Sequence, residues 1–100
     1  MSGKLGKARI HFGTSKNTTA AGNAIRVLTD ANINSVFGIN NANNTNTIVL
    51  FANGDANSVS AHIDGSSYQS GNWYAVLDRS VSGGIRYRIN YLIIYDTKND

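Results

Sequence analysis

Cysteine, proline and glutamate are all absent from the 100 residues. Without cysteine no disulfide can staple the domain, and no thiolate can hold a soft metal or attack a substrate. Without glutamate the acids are six aspartates. Glycoside hydrolysis by paired carboxyl groups would then need two aspartates facing each other across a cleft, which a domain of this length is too small to frame. No apolar run approaches the ~20 residues that span a bilayer. The longest, YLIIY at 91–95, has the length of a strand. The opening MSGK lacks the apolar stretch of a secretory leader. The expectation is a protein made without a signal peptide and not inserted in a membrane.

What the chain does have is asparagine (fourteen), serine (ten), threonine (seven) and glycine (ten). Threonine favours strands, while short polar side chains and glycine favour tight turns by bonding the local backbone and tolerating positive φ. The length allows one domain, residues 1–100, and 41% apolar residues give it a thin core. The formal charge is +3. Its excess lies in Lys4, Lys7, Arg9, Lys16 and Arg26, against Asp30 alone among the acids of residues 1–50. These cations form no dense run, so no nucleic-acid partner is expected.

Periodicity supplies the fold class. Ile85, Tyr87, Ile89, Tyr91, Ile93 and Tyr95 alternate with Arg86, Arg88, Asn90, Leu92, Ile94 and Asp96, a period of two that only a strand presents as one face. The second face turns apolar at Leu92 and Ile94, which calls for cover on both sides there, by a facing sheet or another subunit. Ser82, Gly83 and Gly84 supply a turn pairing this strand with residues 72–78 as a hairpin. Further strands are expected at 7–12, 33–39, 47–52 and 57–64. The 47–52 segment is apolar enough to be central in its sheet, and 65–71 serves as a loop. Residues 17–30 fit either a short helix or a loop followed by a strand. Together these predict an all-β domain, a small antiparallel β-sandwich or barrel of six to seven strands.

Catalytic chemistry has little to stand on. His11, His62 and Asp64 are candidates for acid–base work, but none of the serines sits in a nucleophile elbow. Asp55, Asn57, His62 and Asp64 offer metal-ligating atoms at a spacing that matches no calcium loop. Neither enzyme activity, a metal nor a cofactor is expected. Aromatics say more, because Tyr68, Trp73, Tyr74, Tyr87, Tyr91 and Tyr95 crowd the last third. Rings flanked by amides and carboxylates suit a sugar, whose apolar face stacks on the ring while its hydroxyls bond the polar groups. They suit a core or a subunit interface equally. Face-sharing with isoleucines assigns Tyr87, Tyr91 and Ile93 to core or interface, and face-sharing with Ala75 and Leu77 assigns Trp73 there too. Asn53, Asp55, His62, Asp64, Tyr68, Gln69 and Asn72 fall in or beside polar turns, where recognition residues concentrate. They form the candidate ligand-binding set, with Tyr68 as its best member.

Two stretches, VLFANGDAN at 49–57 and NWYAV at 72–76 followed by GIRYRINYL at 84–92, resemble the C-terminal receptor-binding domains of bacteriophage tail-fibre or baseplate proteins. The similarity covers residues 45–96. A weaker one, carried by YLII at 91–94, is to H-type lectin-like domains. The resemblance implies a homotrimeric β-domain at a virion tip that contacts host cell-surface carbohydrate or another envelope component. The rival expectation is a structural virion assembly or decoration protein that binds no glycan.

Overall fold

The computed structural model describes residues 7–54 and 62–97; for 16–21 and 81–87 it describes the backbone path alone. Four strands and one helix follow in the order β1 (Ala8–Thr29), α1 (Asp30–Phe37), β2 (Thr47–Asn53), β3 (Ile63–Gln69) and β4 (Asn72–Asp96). β1 and β4 are long enough to run through two sheets. Residues 8–15 of β1 pair with 89–96 of β4, and β2 pairs with the other edge of the same segment. Farther along, residues 24–29 of β1 pair with 72–76 of β4, whose free edge carries β3. The result is two three-stranded antiparallel sheets with β4 central in each. Register shifts in β1 between residues 15 and 24 mark the passage from one sheet to the other, where bulges let strands turn a corner. The all-β sandwich expected from the alternation is therefore present, with six strand segments drawn from four continuous strands.

The core lies between the sheets. Leu28 and Trp73 from one sheet meet Val49, Ile93 and Tyr95 from the other, with Ile33 and Phe37 of α1 closing that end. A second cluster joins Ile25, Ala75 and Leu77 to Ile89. Trp73, Ala75 and Leu77 all point inward, as do Ile89, Ile93 and Tyr95, so the face-sharing read from the sequence holds for these residues. Among the described residues no helix is long and apolar enough to cross a membrane.

Several local expectations are corrected. Residues 33–39 do not form a strand; Ile33 and Phe37 belong to α1. Thr29 and Asn32 build a capping box, each side chain accepting from the other's backbone N–H at 3.1 and 2.9 Å. Gly38 then ends the helix at φ 67°, a left-handed conformation that costs glycine little. The apolar residues at 33 and 37 are thus one helical turn apart on the core side.

The hairpin also lies elsewhere. β4 continues without a turn through 82–84 because β1 runs beside both of its halves. β3 occupies much of the stretch expected as a loop, and the hairpin is β3–β4, closed by Ser70 and Gly71. Both of these have positive φ, 49° and 80°, which matches the right-handed twist of the flanking strands. The expected strand at 57–64 lies outside the described residues as far as 61. Finally, β2 is an edge strand, not a central one. Its apolar character on both sides has another cause: Val49 is buried, whereas Ile48 and Leu50 face outward, 55% and 50% exposed. Among the described residues the facing sheet covers the inner side of that strand, at Ile93 and Tyr95, while Leu92 and Ile94 on its outer side are half-buried.

The asparagine-rich segment between α1 and β2 is ordered by its own amides. Asn34 Oδ1 accepts from Ala42 N–H at 2.9 Å, Asn46 Oδ1 from Asn43 N–H at 3.0 Å, and Asn41 Oδ1 from the Tyr95 hydroxyl at 3.1 Å. Short amide side chains replace a backbone ladder here. The last of these bonds also gives buried Tyr95 a partner for its polar end.

Candidate functional site: a groove beside Tyr74

The hairpin β3–β4 presents opposite faces to two different environments. On the inner face Tyr68 pairs with Trp73 across the strands, their ring centroids 4.6 Å apart. Both donate to Asp30 at the start of α1, the Tyr68 hydroxyl to Oδ2 at 2.5 Å and Trp73 Nε1 to Oδ1 at 3.1 Å. The Asp30 N–H donates to Gly71 C=O at 2.9 Å, so one residue ties the hairpin to the helix. The hydrogen bond to Asp30 raises the Tyr68 phenol above its ordinary value of 10, helped by desolvation and by the negative charge of Asp30.

That shift fixes the sign of a pH effect. A raised acid stabilises the fold fully below its ordinary value, and the contribution is lost as the pH climbs through the raised one. Chemical denaturation of wild type and Tyr68→Phe is expected to show a constant gap up to about pH 10 and a closing gap above it. A gap that widens there would contradict the assignment.

Tyr74, one residue after Trp73, points outward. Across the strands it pairs with Arg26 of β1 and Ser67 of β3. Around it Asn23, Ala24, Ser67, Gln69 and Val76 line a groove of about 310 Å³. The half-buried ring offers an apolar surface, and two amides and a hydroxyl supply donors and acceptors at its rim. Among the described residues no carboxylate, histidine or thiol lines it. The arrangement can hold a polyhydroxylated molecule by stacking and hydrogen bonding.

Of the ligand-binding set read from the sequence, Gln69 alone lines this groove. Tyr68 is turned inward and bonded to Asp30. Asn72 opens β4, its backbone paired with Gln69 and Thr29. Asn53 ends β2 in the other sheet, and Asp55 lies outside the described residues. His62 and Asp64 are exposed at the far end of β3. His62 meets a carboxylate through its backbone, its N–H donating to Asp78 Oδ1 at 3.0 Å. This bond holds the Asp78 carboxyl below its ordinary value. Asp64 is the bulged residue between the pairs Ile63–Leu77 and Gly65–Val76. Of the core-or-interface set, Trp73 and Ile93 are buried and Tyr91 is half-buried near the His11 ring. Tyr87 pairs with Thr18 through its backbone, and its side chain lies outside the description. Asn23, Ser67 and Tyr74 were missed, although strand parity marks Tyr74: a tryptophan facing the core sends the next residue out.

Among the described residues no three histidine, cysteine, aspartate or glutamate side chains gather as metal ligands. No family model, curated protein or solved structure matches the chain.

Proposed function

We propose that the chain is a non-catalytic recognition domain that binds carbohydrate in the groove beside Tyr74. In keeping with its resemblance to tail-fibre tips, we place it in a phage adhesion device that contacts host cell-surface glycan. The observation that carries the reading is an outward aromatic ring flanked by Asn23, Ser67 and Gln69 with no acidic group beside it. A pyranose has an apolar face and a polar rim, and this groove matches both. Such sites bind weakly one at a time, and several copies engaging together raise avidity by roughly 10²–10⁴.

A glycan array probed with the multimerised domain tests it, followed by titration of the best sugar. Tyr74→Ala is expected to weaken binding about tenfold, the scale of one aromatic contact, and Gln69→Ala less. Retained binding in Tyr74→Ala would move the site elsewhere. An array without reproducible binding would favour the second reading, a virion assembly protein, which the open apolar face of the other sheet supports independently.

A further inference from the structure

The outer face of the sheet β1–β4–β2 is apolar and, among the described residues, open. Register sets Ile10 beside Ile94 and Ile94 beside Ile48, and, one pleat along, Phe12 beside Leu92 and Leu92 beside Leu50. Ile10 is 64% exposed and Phe12 66%, while Leu92 and Ile94 are half-buried by their strand neighbours. No charge lies within the two rows. At one end they stop at a polar seam in which the Thr14 hydroxyl donates to Asn90 Oδ1 at 2.8 Å.

We infer that this face docks against the same face of a second copy of the chain. Size is the first argument. Ile10, Phe12, Ile48 and Leu50 leave on the order of 400–500 Å² of apolar surface open, a contiguous patch of the size that often marks an interaction site. Two such faces together remove roughly 800–1,000 Å² from water before their rims are counted, close to the threshold for a specific interface. Relief is the second. Phe12, Leu50 and Leu92 line a dent of about 110 Å³ in the face from which Phe12 and Ile10 project. A self-complementary contact can therefore set each copy's projecting side chains against the other's dent.

Charge is the third argument. The two rows carry no charge, Asp96 lying beyond them on the same face opposite Ala8, so row meets row without like-charge repulsion, whereas an anionic membrane or nucleic acid would need cations there. The segments outside the described residues carry little apolar material. Residues 1–6, 55–61 and 98–100 hold Met1, Leu5 and Val59 as their only large apolar side chains. This docking is independent of the sugar groove, which lies on the other sheet.

Light scattering on the full 100-residue protein over a wide concentration series is the test. A mass of twice the single-chain 10.7 kDa is expected, falling to the single-chain value in Phe12→Lys and in Leu50→Lys. Asp64→Lys, an equally exposed change on the other sheet, should keep the doubled mass. Near-UV circular dichroism of Trp73 reports that each variant is folded. Hydroxyl-radical footprinting of the wild type needs no variant and should show Phe12 and Leu50 becoming protected as concentration rises. A single-chain mass throughout would overturn the inference, as would a multiple retained in both lysine variants. A single chain that cosediments with phosphatidylcholine vesicles would overturn it in favour of lipid.

Discussion

Asp30→Ala is expected to melt roughly 10–20 °C below the wild type, an effect large for a half-buried surface residue. The carboxylate accepts from the Tyr68 hydroxyl and from Trp73 Nε1, and hydrogen bonds to a charged group contribute about 1.5–3 kcal/mol each. Its place in the first turn of α1 adds a few tenths through the helix dipole. Partial exposure screens all three, so about 2–3 kcal/mol is the expected net loss, and in a domain of this length each kcal/mol moves the midpoint by about 4–8 °C. Asp30→Asn keeps one acceptor oxygen and should recover a large part of the difference. Calorimetry of the three proteins decides it. Equal midpoints for wild type and Asp30→Ala would mean that packing and the backbone bond to Gly71 hold hairpin and helix together without the carboxylate.

The second large effect distinguishes two adjacent residues. Ile93 is fully buried in β4, between the sheets, and its truncation to alanine should cost about 2–5 kcal/mol through lost transfer energy and the cavity left behind. Against a total of about 5–15 kcal/mol for a small domain, that threatens folding at ordinary temperature. Ile94→Ala sits on the open face of the same strand and should cost about 1 kcal/mol or less in the single chain. Urea titrations of the pair read the in–out parity of β4 directly. A reversed order would shift the register by one residue and turn the apolar face inward.

That parity was the most legible part of the sequence. The twelve residues from 85 to 96 state their own period, and Trp73, Ala75 and Leu77 follow the same rule, so the sandwich and much of its core are legible in the sequence. What could not be read depended on partners distant in sequence. Residues 33–39 carry apolar side chains compatible with either period, and a cap made by Thr29 and Asn32 decides for helix. Gly83 and Gly84 looked like a turn because two glycines commonly make one, yet β1 extends along both halves of β4 and holds it extended. The apolar face of β2 suggested a central strand, since propensity does not distinguish burial by a neighbouring strand from exposure to water.

The site shows the same division. Tyr68 drew attention through its polar neighbours Gln69 and Ser70, whereas the pleat, which sends Tyr68 in with Trp73 and Tyr74 out, was the better guide. Asn23 lies far from Tyr74 in sequence and reaches the groove only because β1 returns beside β4.

The centrality of β4 bears on how the chain folds as it is made. β1, β2 and β3 each bond to β4 and to no other strand of the described ladder. Synthesis runs from the N-terminus, so the first three strands leave the ribosome before any hydrogen-bonding partner exists. A nascent chain halted before residue 72 holds three strand sequences and none of these ladders. Folding must then close β1 onto β4 across most of the chain length, a topology of long-range contacts that belongs to the slow end of small-domain folding, on the order of milliseconds to seconds.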